Sequence, residues 1–182
     1  MIAADGELGY ATLSAARAGA AATWLTGRGL VVIGGGSTTS PGGELLAEGS
    51  SAFTALPLAP DTTSGAGVAA VDATHLLRVG GRSQGAPAAT VNVDVGCAAS
   101  CAPEPAGDSV DLERADAYAE AQGALVVGTA PTGETRAFRI AAGAAAELPL
   151  REPRSHATSL LAPTGHVLIA GGSPLAFELY LE

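Results

Sequence analysis

Three histidines, two cysteines and a scatter of carboxylates are the side chains of this 182-residue chain whose types could do chemistry. His75, His156 and His166 show none of the short spacings of a metal-ligand motif. Three structural imidazoles are the plain reading of them, and a three-histidine centre assembled from distant parts of the chain is the sharper one. Cys97 and Cys101 lie four apart in a loop of small residues. They suit a local disulfide, which implies an oxidising compartment, with two free thiols as the alternative. A zinc site needs more ligands than that stretch holds. Glu104, Asp108, Asp111, Glu113 and Asp116 make an acidic stretch. It reads as a solvated loop face rather than a weak cation site, because oxygen ligands at EF-hand spacing are missing. Gly34-Gly35-Gly36-Ser37-Thr38 invites comparison with a phosphate loop, but no lysine follows and no helix start accompanies it. A Gly-x-Ser-x-Gly nucleophile elbow is absent. The reading is of a non-catalytic chain with no cofactor and no metal.

Composition narrows the classes further. The net charge is −9, from 18 acidic and 9 basic residues. Such a surface repels phosphate backbones and anionic lipid, so nucleic acid is not the expected partner. No apolar run reaches the roughly 18 residues of a membrane span. The first residues lack the basic and apolar segments of a signal peptide. A chain of this size buries about 70% of its unfolded surface, which allows a sizeable core. With only 4% aromatic residues, that core must be built from Val, Leu, Ile and Ala. Twenty-five glycines and eleven prolines favour many short strands over long helices.

The elements that must position any site repeat. Leu30-Val31-Val32-Ile33-Gly34-Gly35 returns as Leu76-Leu77-Arg78-Val79-Gly80-Gly81 and as Val167-Leu168-Ile169-Ala170-Gly171-Gly172. It returns weakly as Leu125-Val126-Val127-Gly128-Thr129, so the first glycines are 46, 48 and 43 residues apart. Two other markers keep the register. Leu56-Pro57-Leu58 and Leu148-Pro149-Leu150 stand 92 apart, and Arg17 and Arg154 each lie 17 residues before a glycine pair. Periods of this length signal a repeat architecture. Four short antiparallel strands can be drawn in each unit, which is the blade of a β-propeller. The blades run about 15–58, 59–112, 113–150 and 151–182. The last has three strands of its own, and a strand at Leu8–Leu13 is expected to complete it and close the ring. In the second blade the fourth strand is expected at Ser109–Leu112, with the cysteine loop and Pro103-Glu104-Pro105 as an insertion. The third blade is the most degenerate.

Arg154-Ser155-His156-Ala157-Thr158, then Gly165 to Gly172, then Glu178-Leu179-Tyr180, resembles a bacterial kelch repeat. Arg17 to Gly35 is similar to its first half, and Gly49 to Pro57 to its ending, with Phe53 where that family usually has Trp. The resemblance implies an all-β propeller, here of about four blades in a single domain where six or seven are usual. It implies a non-catalytic interaction module with a protein or glycan ligand, at an extracellular, periplasmic or cell-surface location. The alternative is a fragment of a larger propeller, completed by self-association, or of a galactose oxidase-like metalloenzyme. That enzyme's copper site needs Tyr and His ligands and a Cys-linked Tyr, and Tyr10, Tyr118 and Tyr180 show no such context. Arg17 and Arg154, before the innermost strands, are the candidate binding residues at the channel mouth. Pairing with carboxylates between blades is the structural alternative for both.

Overall fold

The protein is all β. The structure, a computed structural model, describes residues 10–174 and 176–180. Four antiparallel sheets are arranged as a four-bladed β-propeller. The first blade holds β1 (Ala21–Leu25), β2 (Gly29–Ile33), β3 (Gly43–Ala47) and β4 (Thr54–Ala55) in that spatial order. The second holds β5 (Gly67–Ala70) and β6 (His75–Val79), a two-stranded hairpin of β7 (Arg82–Ser83) and β8 (Ala86–Pro87) outside the sheet, then β9 (Thr90–Asp94) and β10 (Glu104–Gly107). The third holds β11 (Arg114–Glu120), β12 (Gly123–Thr129), β13 (Thr135–Ala141) and β14 (Ala144–Leu148). The fourth holds β15 (Thr158–Leu161), β16 (Val167–Ala170) and β17 (Phe177–Tyr180). The inner strands are β1, β5, β11 and β15.

The repeated apolar phrase is the second strand of each blade, and its physics is plain. A strand buried on both faces has no polar side to alternate with, so it reads as a continuous apolar run. Leu125 and Val127 of β12 face the fourth blade, while Ala124 and Val126 face the second. Likewise Leu76 of β6 joins the cluster with the first blade and Leu77 the cluster with the third. Side chains therefore alternate between two dry junctions rather than between core and water.

The glycine pair ends each such strand. Gly34 and Gly35, Gly80 and Gly81, and Gly171 and Gly172 all have positive φ. In the third blade the pair is replaced by Gly128-Thr129, and neither residue has positive φ. β12 accordingly runs on for seven residues, paired along its length with seven-residue neighbours on both sides. The blade with the weakest sequence signature thus has the most regular sheet, because the missing turn lets the ladder continue.

Two expectations need correction or restriction. The fourth strand of the second blade is Glu104–Gly107, not Ser109–Leu112. Pro105 can sit there because this is an edge strand, where one missing N–H costs no ladder bond. Val110 and Leu112 are buried in the junction with the third blade instead. Leu8 and Gly9 of the expected closing strand lie outside the described residues. Tyr10–Leu13 form no strand, and the fourth sheet has three strands among the described residues.

Candidate functional site

The inner strands enclose a cavity of about 1100 Å³. Its wall is largely small residues, including Ala20, Ala22, Gly67, Ala69, Ala115 and Ala117. Small side chains keep a narrow axis open, so the polar groups on the same wall are conspicuous. Arg114, Asp116 and Tyr118 come from β11, Ser159 from β15, and Thr23 and Trp24 from β1. Three of them are wired together across two blades. The Tyr118 hydroxyl donates to Ser159 Oγ (2.9 Å), and the Ser159 hydroxyl donates to Asp116 Oδ2 (3.0 Å). Burial raises the Tyr118 pKa above its ordinary value, and the Asp116 charge adds to that, outweighing the hydrogen bond to Ser159. Tyr118 therefore keeps its proton and acts as the donor at the head of the chain. Asp116 and Arg114 are exposed, as is the indole of Trp24, at 54%.

Sequence reasoning placed Asp116 in a solvated loop with Glu104, Asp108, Asp111 and Glu113. The structure distributes these acids: Glu104 is on β10 and Asp116 on the cavity wall in β11. Asp111 pairs with Arg82 (2.7 Å). The period-two pattern of Ala115, Ala117 and Ala119 against Asp116, Tyr118 and Glu120 reads as the first strand of the third unit, with a helix as the alternative, and the strand is what the structure shows.

Arg17 and Arg154 stand before β1 and β15, but their guanidinium groups turn into their own blades. Arg17 Nε donates to Glu44 Oε1 (3.0 Å), and its terminal nitrogens donate to the carbonyls of Gly34 (2.8 Å) and Pro41 (2.7 Å). Arg154, 2% exposed, donates in the same way to Glu178 Oε1 (3.0 Å) and the Gly171 carbonyl (2.6 Å). Each pair ties the lead-in of the inner strand to the third strand of the same blade, not to a neighbouring blade. The carboxylates also accept from the main chain: Ser14 N–H donates to Glu44 and Arg151 N–H to Glu178. Burial pushes both carboxyls up. The Ser14 amide and Arg17 for Glu44, and the Arg151 amide and Arg154 for Glu178, pull harder, so both lie below the ordinary value. The second blade solves the same problem with Arg78 and Asp61, and the third places Phe138 in the core at the register of Glu44 and Glu178.

His75 is exposed and paired with Asp72, held by two Thr74 and His75 amides. Those amide bonds, with His75, bring Asp72 down to about 2. His156 has positive φ and lies over Gly133, and His166 bonds the Thr164 hydroxyl. Among the described residues no group of three or more His, Cys, Asp or Glu side chains is placed to hold a metal ion. Tyr180 donates to the Pro149 carbonyl (2.8 Å) and Tyr10 is exposed.

The sulfurs of Cys97 and Cys101 stand at disulfide distance, with Cα atoms 6.4 Å apart. Cys101 is also stitched to the end of the first blade. Its amide donates to the Pro57 carbonyl (2.9 Å) and its carbonyl accepts from the Ala59 amide (3.0 Å). Thiol titration of unreduced, unfolded protein is expected to find no free thiol. Because the loop is short and already fixed by these bonds, changing both cysteines to serine is expected to cost less than about 3 kcal/mol, read by denaturant melts.

No helix of the described residues is long and apolar enough to cross a membrane. No protein-family model matches the chain, and no curated protein shows significant sequence similarity to it.

Proposed function

We propose that the protein is a kelch-type, non-catalytic binding module that takes a short glycan in the cavity between its inner strands, outside the cytoplasm. One observation carries the reading: a hydrogen-bonded chain of Tyr118, Ser159 and Asp116 on the cavity wall, facing a space that also receives the exposed Trp24. A sugar presents hydroxyl pairs on one edge and C–H groups on its face. A fixed carboxylate accepts the first, and an indole plane packs against the second. Few, oriented polar groups in a concave site are how small ligands are selected. The Cys97–Cys101 pair supports the location, since disulfides persist in oxidising compartments. Kelch type rests on Arg154 to Tyr180 and Arg17 to Gly35.

Glycan-array screening followed by calorimetry tests this. Wild-type protein is expected to retain a glycan, and Asp116→Asn to weaken it roughly 10- to 100-fold, as for loss of one charged hydrogen bond. An array with no bound glycan, or an Asp116→Asn variant with unchanged affinity, overturns it.

A further inference from the structure

A second cavity, of about 570 Å³, opens beside the second blade and shares no lining residue with the cavity between the inner strands. That volume lies in the range of small-molecule sites, roughly 300–1,000 Å³. Its walls come largely from outside the repeated strands. Residues 60–63, which lead into β5, make one side, and the β7–β8 hairpin makes another with Ser83, Gln84 and Pro87. The hairpin turns tightly at Gln84 and Gly85, both of positive φ. Backbone bonds hold the two sides in place. Gly36 N–H donates to Asp61 O (3.0 Å) and Gly35 N–H to Thr63 O (2.7 Å). Ser64 N–H donates to Arg82 O (2.9 Å) and Arg82 N–H to Ser64 O (2.8 Å). The Thr62 and Ser83 hydroxyls meet between them (3.3 Å).

Arg78 borders this cavity from β6 and is 7% exposed. Among the described residues, it and Asp61 are the only charged groups on the wall. Arg78 Nη1 donates to Asp61 Oδ2, whereas Nε is buried with no hydrogen-bond partner among the described residues. In the first blade the fold uses its arginine fully. All three nitrogens of Arg17 donate, to Glu44, Gly34 and Pro41. A buried donor left unpaired costs stability and calls for an explanation. Both Asp61 oxygens are already engaged, Oδ1 by the Thr63 N–H (2.9 Å) and Oδ2 by Arg78. In the Thr62–Ser83 pair one hydroxyl accepts, so its own proton is not spent in that bond. The wall therefore holds more donors than the fold consumes.

We propose that this cavity binds a small aliphatic acid as its carboxylate, held by the Arg78 guanidinium and the Thr62–Ser83 hydroxyl pair, with the hydrocarbon part along Pro87 and Ala88. A carboxylate only accepts hydrogen bonds, which matches a wall with donors to spare. A guanidinium is the side chain whose planar fork suits a carboxylate best. Asp61 already offsets the Arg78 charge, so the site accommodates a singly charged group and has no surplus for a dianion such as phosphate. The net charge of −9 opposes a dianion further. The proline and alanine side chains supply an apolar surface for a short chain of carbons.

Hexanoate titrated into the whole chain, followed by nitrogen–proton correlation spectra, tests this. It is expected to shift the Arg78 Nε–H and the Ser83 and Gln84 amides saturably. Hexanamide, and inorganic phosphate at matched ionic strength, are expected to leave those signals in place. Ser83→Ala is expected to keep its circular dichroism and bind hexanoate roughly 3- to 10-fold more weakly, the loss of one hydrogen bond. Arg78→Lys keeps a charge beside Asp61 without the fork, and is expected to abolish the shifts at Ser83 and Gln84. Should Arg78→Lys not fold, Thr62→Val takes its place, with a loss of the same size as Ser83→Ala. The proposal is overturned by the absence of a saturable shift with hexanoate, by an equal response to hexanamide or phosphate, or by unchanged affinity in the folded variants. The site is independent of the glycan reading, and the two fail separately. Asp116→Asn is expected to leave hexanoate binding unchanged, and Ser83→Ala to leave glycan affinity unchanged.

Discussion

Glu44→Ala is expected to be the most destabilising single side-chain change in the first blade, at about 3–5 kcal/mol, because it leaves a buried guanidinium without its counter-ion. Arg17 and Glu44 have side chains 1% and 0% exposed, so water cannot replace the lost partner. The Ser14 amide loses its acceptor in the same step. Glu178→Ala is expected to do the same to Arg154 in the fourth blade. Replacing both members, Arg17→Met with Glu44→Leu, is expected to cost less than the two single changes added together. The buried charge is then gone, although the carbonyls of Gly34 and Pro41 still lose their donor. Urea melts of the wild type, Glu44→Ala, Glu178→Ala, the single changes Arg17→Met and Glu44→Leu, and the double variant measure this.

The same pairs set the acid limit of the fold. Each carboxyl has a folded pKa below its ordinary value of 4.5. A carboxylate of that kind contributes stability above the unfolded-state pKa, and the contribution is lost as pH falls through the folded-state value. The melting temperature is therefore expected to be level above about pH 5 and to drop below about pH 4. In Glu44→Ala that acid-side drop becomes shallower, since one of its sources has been removed. An acid limb equally steep in the two proteins would contradict the assignment.

The second large effect is at Gly81. Its φ is +77°, and a Cβ there would stand 2.6 Å from the Ser64 carbonyl oxygen and 2.9 Å from Ala66 Cα. Backbone atoms of a neighbouring segment cannot swing aside as a side chain can. Gly81→Ala thus combines left-handed strain with a backbone collision, and is expected to cost about 3 kcal/mol or more. Gly171 has a similar φ of +84° but nothing within 4 Å of its Cβ position. Gly171→Ala carries the conformational penalty alone, roughly 1–2 kcal/mol. Melts of both variants separate the two contributions, and equal losses would show that close approach at Gly81 is not the source.

The blade signal was legible because it is local. An apolar run, a glycine pair and a fixed period are all contained in short stretches of chain. Strands β2, β6, β12 and β16 were accordingly placed within a few residues. The outer strand of the second blade was missed because Glu104–Gly107 contains a proline, a glycine and an acid, and its identity depends on pairing with Asn92, Val91 and Thr90. The site was harder to read. Arg17 and Arg154 were found by spacing, but their partners Glu44 and Glu178 follow the glycine pairs at different distances, across loops of unequal length. The Tyr118, Ser159 and Asp116 chain spans 43 residues and two blades, so no sequence window contains it. The lone Trp24 gave no hint of the cavity because its neighbours Ala22, Thr23, Leu25 and Thr26 form no recognisable binding pattern.

The claim beneath all of this is that four sheets stand around one axis, each packed on the next. Methyl nuclear Overhauser spectra test it most directly. The account predicts cross-peaks from Leu25, Val31 and Ile33 to Val68, Leu76 and Val93, from Val79 and Leu112 to Val126 and Ile140, and from Leu125 and Val127 to Val167 and Ile169. Cross-peaks confined within each sheet, with none between successive sheets, would contradict it.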